Sequence, residues 1–201
     1  MMKNKLILFI TIISLLSCKA QIAPLYKADP DLPEGTYYKD LNNDLNKFEG
    51  TWKWENGNNS FTIVLEKKLQ VYDDTSNFYE DMLIGEYKYV ENGVEIVNSL
   101  ARLQDITIIG FSHYLTGVRI MHKNHPPHKC ESCTNEERRV SVYIRDPEIP
   151  LMGMQIILRH IVENNVEKLE GHVMGTGSYV STLENPESPR INFGDYVFIK
   201  Q

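Results

Sequence analysis

One stretch of this sequence gathers most of the side chains that could do chemistry: Met121-His122-Lys123-Asn124-His125-Pro126-Pro127-His128-Lys129-Cys130-Glu131-Ser132-Cys133. Three of the six histidines and two of the three cysteines fall between His122 and Cys133. Imidazole and thiolate are the favoured ligands of zinc and copper. Cys-x-x-Cys spacing lets two sulfurs reach one ion. His128 stands two residues ahead of Cys130, and His125 or His122 can complete a tetrahedron. The same two cysteines can instead be joined as a disulfide, which removes them as metal ligands. A redox centre of this spacing normally opens a helix in a βαβ setting, and nothing nearby predicts that helix. Pro126-Pro127 and the surrounding polar residues place the segment in an exposed connection. The expectation is therefore a Cys130–Cys133 bridge. Zinc or copper held by His122, His125, His128, Cys130 and Cys133 is the alternative, open to the reduced loop.

Other chemical groups are scattered. Asp73-Asp74 and Glu80-Asp81 bracket a segment without the alternating ligands and fixed glycine of a calcium loop, and they read as a solvated turn. His113, His160 and His172 read as hydrogen-bonded wall residues of strands. There is no Gly-x-Ser-x-Gly elbow, His-Glu-x-x-His helix, phosphate loop or dinucleotide fingerprint. No catalytic residue is assigned, and nothing in the sequence supports an enzyme over a binding protein.

The third cysteine carries a different chemistry. Lys3 and Lys5 precede an apolar run from Leu6 to Leu16, which ends in Leu15-Leu16-Ser17-Cys18. The run suits a signal-peptide core and is short for a bilayer-spanning helix. An aliphatic residue three places before a cysteine, with a small residue just before it, is the pattern of lipoprotein processing. The expectation is a signal peptide over residues 1–17 and a mature N-terminus at Cys18, whose thiol accepts diacylglycerol. Two or three acyl chains hold a protein firmly where one does not. Lys19, in place of Asp, favours the outer membrane of a Gram-negative bacterium. An exported chain meets an oxidising compartment, which favours the Cys130–Cys133 bridge.

Removing residues 1–17 takes away two lysines and no acids, so net charge moves from −6 to −8. That balance excludes nucleic acid as a partner, since binding it rests on Lys and Arg. It also leaves the lipid, rather than basic residues, to hold the membrane.

The elements that must position these groups are strands. Residues 18–46, with Pro24, Pro30, Pro33 and Gly35, read as a lipid-anchored tether. Asp40 to Phe48 could form one helical turn with Leu41, Leu45 and Phe48 on a shared face. Residues 47–201 alternate apolar and polar side chains. Asn56-Gly57, Asn92-Gly93 and Asn164-Asn165 sit between such runs as hairpin turns. Asp105 to Met121 reads as an apolar strand, and Phe193 to Lys200 closes the chain. The expected fold is an all-β antiparallel barrel of roughly 8–10 strands, with a two-sheet sandwich as the alternative.

Phe48-Glu49-Gly50-Thr51-Trp52 resembles the Phe-x-Gly-x-Trp signature that opens the first strand of lipocalin-like barrels. The layout is also similar to a family of uncharacterised Bacteroidota lipoproteins, through Ser17 to Gln21, Gly50 to Trp52 and Tyr196 to Lys200. The resemblance implies that Gly50 bends the chain and Trp52 closes one end of the barrel. It brings no activity. The leading functional expectation is a non-enzymatic binding module, a lipid-tethered barrel holding a small apolar or amphipathic ligand in its mouth; the alternatives are an envelope interaction protein whose barrel is filled, and metal binding through the His122–Cys133 loop.

Overall fold

The structure, a computed structural model, describes residues 21–27, 31–150, 152–177 and 188–201, with Val118 by its backbone only. Cys18 and the expected signal peptide lie outside the described residues. Among the described residues eleven strands form: β1 (Ile22–Pro24), β2 (Tyr37–Lys39), β3 (Gly50–Asn56), β4 (Asn59–Asp73), β5 (Phe78–Glu91), β6 (Val94–Asn98), β7 (Leu115–Met121), β8 (Arg139–Ile144), β9 (Met154–Glu163), β10 (Val166–Gly175) and β11 (Gly194–Lys200). Three short 3₁₀ turns, Asn46–Phe48, Leu100–Gln104 and Gly110–Ser112, interrupt them. Among the described residues no helix is long and apolar enough to cross a membrane.

Local chemistry sets the reversals. Asn92 and Gly93 have φ of 51° and 78°, and Asn164 and Asn165 of 52° and 62°. Both pairs thus carry the positive φ at two central positions that a type I′ turn requires. The first hairpin differs by one residue: Asn56 pairs with Asn59, so Gly57 and Asn58 make the turn, with positive φ at Gly57 alone.

Antiparallel pairing runs β3–β4–β5–β7–β8–β9–β10–β11 and returns from β11 to β3, closing an eight-stranded barrel. Closure rules out the sandwich. β6 pairs with β5 above β7, while β1 and β2 add to β5 in parallel. The described part of the expected tether is therefore joined to the sheet over Ile22–Pro24 and Tyr37–Lys39. The stretch read as one long strand, Asp105 to Met121, is a strand only from Leu115. Asp105 Oδ1 accepts from the Thr107 amide at 2.9 Å and hydroxyl at 2.6 Å, and Gly110 has φ 47°. These features turn the chain before it can pair.

The interior is filled. Phe61, Ile63, Val142, Ile156, Leu169 and Phe198, from five strands of the wall, are each 0 % exposed. A void wide enough for water would leave its lining side chains some accessible surface. Phe61 sits edge-on to Tyr87, Tyr89, Tyr196 and Phe198, at centroid distances of 5.4–6.0 Å. Gly171 makes room for them: a Cβ there would lie 2.8 Å from Ile156 Cδ1 and 3.0 Å from Phe198 Cε2.

Residues 40–54 form a cap on the core, to which Leu45, Phe48 and Trp52 belong. Asp40 Oδ1 and Oδ2 accept from the amides of Asp44 and Leu45, and Oδ2 also pairs with Lys67 Nζ at 2.7 Å. These bonds compress the expected helical turn to Asn46–Phe48, burying Leu45 and Phe48 and leaving Leu41 exposed. Gly50, at φ 124°, bends the chain into β3 in a conformation that favours glycine. Trp52 is fully buried beyond it, with Nε1 donating to Phe48 O at 2.9 Å. His160 meets the indole edge-on at 6.1 Å, and Lys200 Nζ lies 5.2 Å from its centroid.

Asp81, expected in a solvated turn, is buried. It accepts from Tyr37 Oη at 2.5 Å, from the Asp40 amide at 2.9 Å and from the Gln70 amide at 3.0 Å. It thereby ties β2, the cap and the β4 bulge together. Its neighbour Glu80 has no such partners among the described residues, and burial followed by the charge of Asp73 pushes its carboxyl up to about 7.

Two outcomes follow. Trp52→Ala should cost about 3–5 kcal/mol, as aromatic truncations in cores do; an unchanged denaturant midpoint would count against its capping role. Folded Glu80 holds its proton more tightly than an unfolded glutamate at 4.5. Stability should therefore fall as pH rises from about 4.5 to about 7 and level off above, by up to about 3 kcal/mol. Glu80→Gln should flatten that slope in urea titrations across this range.

Candidate functional site

The polar chemistry lies on the outside of the wall, under two long loops. On β8–β11 the outward positions include Arg139, Arg159, Glu170, His172 and Asp195, opposite in sense to the inward Val140, Leu158, Leu169 and Tyr196. Residues 122–138 fold back over this face. Arg139, 2 % exposed, donates from Nη1 to His128 O at 2.9 Å and from Nη2 to the carbonyls of His122 and Lys123 at 2.9 and 3.2 Å. Burial and the like charge of Arg159 hold its pKa below the usual value. Arg159 forks onto Glu137, with Nε–Oε1 at 2.6 Å and Nη2–Oε2 at 3.1 Å, and reaches Glu170 and Ser132. That charge-assisted bonding raises the Arg159 pKa and lowers that of Glu137.

Cys130 and Cys133 are joined, as the sequence led us to expect, with Cα atoms 5.4 Å apart. Cys133 is buried and Cys130 half-buried. The three loop histidines are drawn apart rather than together. His125 Nε2 takes a hydrogen bond from Arg119 Nη2 at 2.8 Å. His128 stacks on His172 of β10, with centroids 4.1 Å apart and planes at 14°. Burial, then His172, lowers the His128 pKa; burial, then Arg119, lowers that of His125. His122 contributes a carbonyl to Arg139 rather than a ring to the sulfurs. In this disulfide-bonded form, no three His, Cys, Asp or Glu residues among those described are grouped to hold a metal ion. What does form is a pocket of about 410 Å³ between loop and wall, lined by His128, Cys130, Arg139, Arg159, His172 and Asp195 among others.

The second loop, residues 99–114, covers the outer face of β5. Glu86, 0 % exposed, accepts at Oε1 from Arg102 Nε at 3.2 Å, from His113 Nδ1 at 3.1 Å and from the Tyr114 amide at 3.4 Å. Its Oε2 has no partner among the described residues. Arg102 also stacks on Tyr114 at 4.0 Å and donates to Ser112 O. The Glu86–His113 pair resembles half of a proton relay. Among the described residues no hydroxyl or thiol bonds the His113 ring, the position a nucleophile of such a relay would take. His113, expected on a strand, lies in the connection just before β7; the two strand histidines are paired with acids as wall residues, His160 with Glu167 at 3.0 Å and His172 with Asp195 at 2.6 Å.

The chain belongs to DUF6705, a family of unknown function. Its model matches residues 1–201. No curated protein and no solved structure matches the chain. For this DUF6705 member, sequence reasoning located the bridged loop but missed the groups that hold it. Arg139 and Arg159 stand at outward strand positions, where a charged residue ordinarily signals solvent. Glu86 gives no sign of burial, because its cover is a loop twelve or more residues away in sequence.

The arginines and the bridge should be separable. Reduction of Cys130–Cys133 should cost at most about 2 kcal/mol, because its ring is short. Arg139→Ala should cost about 3 kcal/mol by stranding three carbonyls. Hydrogen exchange across residues 122–138 should rise in Arg139→Ala with the bridge intact and change little on reduction alone.

Proposed function

We propose that this protein is a lipid-anchored interaction protein of the cell envelope, whose barrel is a rigid scaffold and whose working surface is its outer face. The observation that carries this reading is the filled interior. A small apolar ligand has no room among side chains such as Phe61, Ile156 and Phe198, which are 0 % exposed. The pockets beside the two loops open instead on the outside of the wall. Anchoring rests on the Leu15 to Cys18 pattern after its apolar run, in keeping with the Bacteroidota lipoproteins that the chain resembles. With Cys18 acylated and Lys19 next to it, the protein would sit at the outer membrane of a Gram-negative bacterium. The tether would be short, because β1 joins the sheet from Ile22. The mature charge of −8 leaves nucleic acid out of consideration.

The test is chemical. Intact mass of the membrane-extracted protein should correspond to a chain lacking residues 1–17 and carrying two or three acyl groups. Cys18→Ser should move from the detergent phase to the aqueous phase on partitioning. A Cys18→Ser chain that stays equally membrane-bound would overturn the anchor.

A further inference from the structure

The two outer loops differ in what they leave uncovered. Residues 122–138 spread charge over their face, whereas the lower part of the other loop exposes large aliphatics together. Leu69 is 65 % exposed, Ile106 93 % and Ile109 73 %. All three line one groove of about 450 Å³, with Val71, Ile84 and Leu103 beneath them. Single exposed aliphatics are ordinary, but a contiguous group marks a contact surface.

The patch is built rather than loose. Asp105 pins the turn through Thr107. Gly110 lies so close to β4 that a Cβ on it would be 2.8 Å from Val71 Cγ1. Gln70, at φ 51°, breaks the β4–β5 register between Lys68 and Val71, and its amide is held by Asp81. The bulge and the turn thus present Leu69, Ile106 and Ile109 on one side.

We propose that Leu69, Ile106 and Ile109 insert into the bilayer that the Cys18 anchor reaches, fixing the orientation of the barrel on the membrane. The inference rests on the lipid-anchored reading. The occupant follows from the short leash. Only four steps of chain separate Cys18 from Ile22, about 14 Å at full extension. β1 joins β2, and β2 joins β5 at Tyr37–Tyr79 and Tyr38–Glu80. On its other edge β5 pairs with the end of β4 that carries the patch, at Val71–Glu80. The order β1-β2-β5-β4 thereby sets the strand that follows the anchor three strand spacings, about 14 Å, from the strand that carries Leu69. The rim carries both signs, with Glu66, Lys68 and Asp105, which suits uncharged lipid and gives no basic stripe for anionic headgroups.

The test uses the full mature protein in vesicles of phosphatidylcholine and phosphatidylethanolamine, 7:3 by design. Ile106→Cys carries a polarity-sensitive fluorophore. Val162→Cys, exposed on β9 opposite β4, carries it as the control. Brominated lipid should quench the label at 106 at least about twofold and leave that at 162 unchanged. Equal, unquenched emission at both positions would overturn the proposal. A blue shift at 106 without vesicles, with a dimer on sedimentation, would also overturn it by assigning the patch to a second copy. Intact mass on the same sample separates this from the anchor. If Cys18 carries no lipid the anchored reading fails, and the label is then read on the soluble chain at millimolar lipid. Quenching there supports insertion by the patch alone; its absence rejects it.

Discussion

The barrel closes through a narrow seam. β11 meets β3 at only two register pairs, Ile199–Lys53 and Lys200–Trp52, whereas β9 and β10 share ten. A ladder that short cannot by itself hold the first and last strands of a domain together. Side-chain packing across the seam supplies the rest. Phe61 of β4 touches Tyr196 and Phe198 of β11 on one side and Tyr87 and Tyr89 of β5 on the other. Trp54 of β3 meets Tyr196 edge-on at 4.8 Å, and Trp52 lies under Lys200. The aromatic filling is thus what makes the sheet a barrel, and a hollow version of this fold would lose its closure along with its core.

Once the inside is committed to packing, charge has to be accommodated elsewhere. Asp40 and Asp81 sit in the cap, where backbone amides and Lys67 satisfy them. Glu86 lies under one outer loop and Arg139 under the other. Buried ionic groups contribute little net stability against apolar replacements, but leaving one partner unpaired is costly. Their effect here is placement. A loop that drifts from Arg139, or from Glu86, strands a buried charge, so both loops are held in one arrangement without long apolar contacts of their own.

This division explains what the sequence made legible. Period-two alternation and Asn-Gly or Asn-Asn turns are local, and they located most wall strands to within a few residues. The Cys130–Cys133 bridge was legible because no other cysteine pair remained. The parallel additions of β1 and β2 were not, because three-residue strands that pair far along the chain leave no periodic trace. Asp105 to Ser112 misled because an apolar run has the same composition whether it pairs or folds over the surface. The histidines misled in a related way. Proximity in sequence suggested one metal site, yet Arg119 on β7 and His172 on β10 draw His125 and His128 in different directions.

The outer loops also show that folding requirements do not account for the whole surface. Residues 122–138 bury Cys133 and lie over Ile157 of the wall, leaving mostly polar groups outside. Folding alone explains such a loop, since it removes apolar wall from water. The turn at Asp105 to Gly110 does the reverse. It covers Val71 and Ile84, but it sets Ile106 and Ile109 outside, with none of the described residues over them. Thr107 and Gly110 show that the turn needs a hydroxyl and a glycine; neither isoleucine is required by its hydrogen bonds. Polar residues at 106 and 109 would preserve the turn and improve solubility. The aliphatics there are a property of the surface rather than of the fold, which is the mark of a site that meets something other than water.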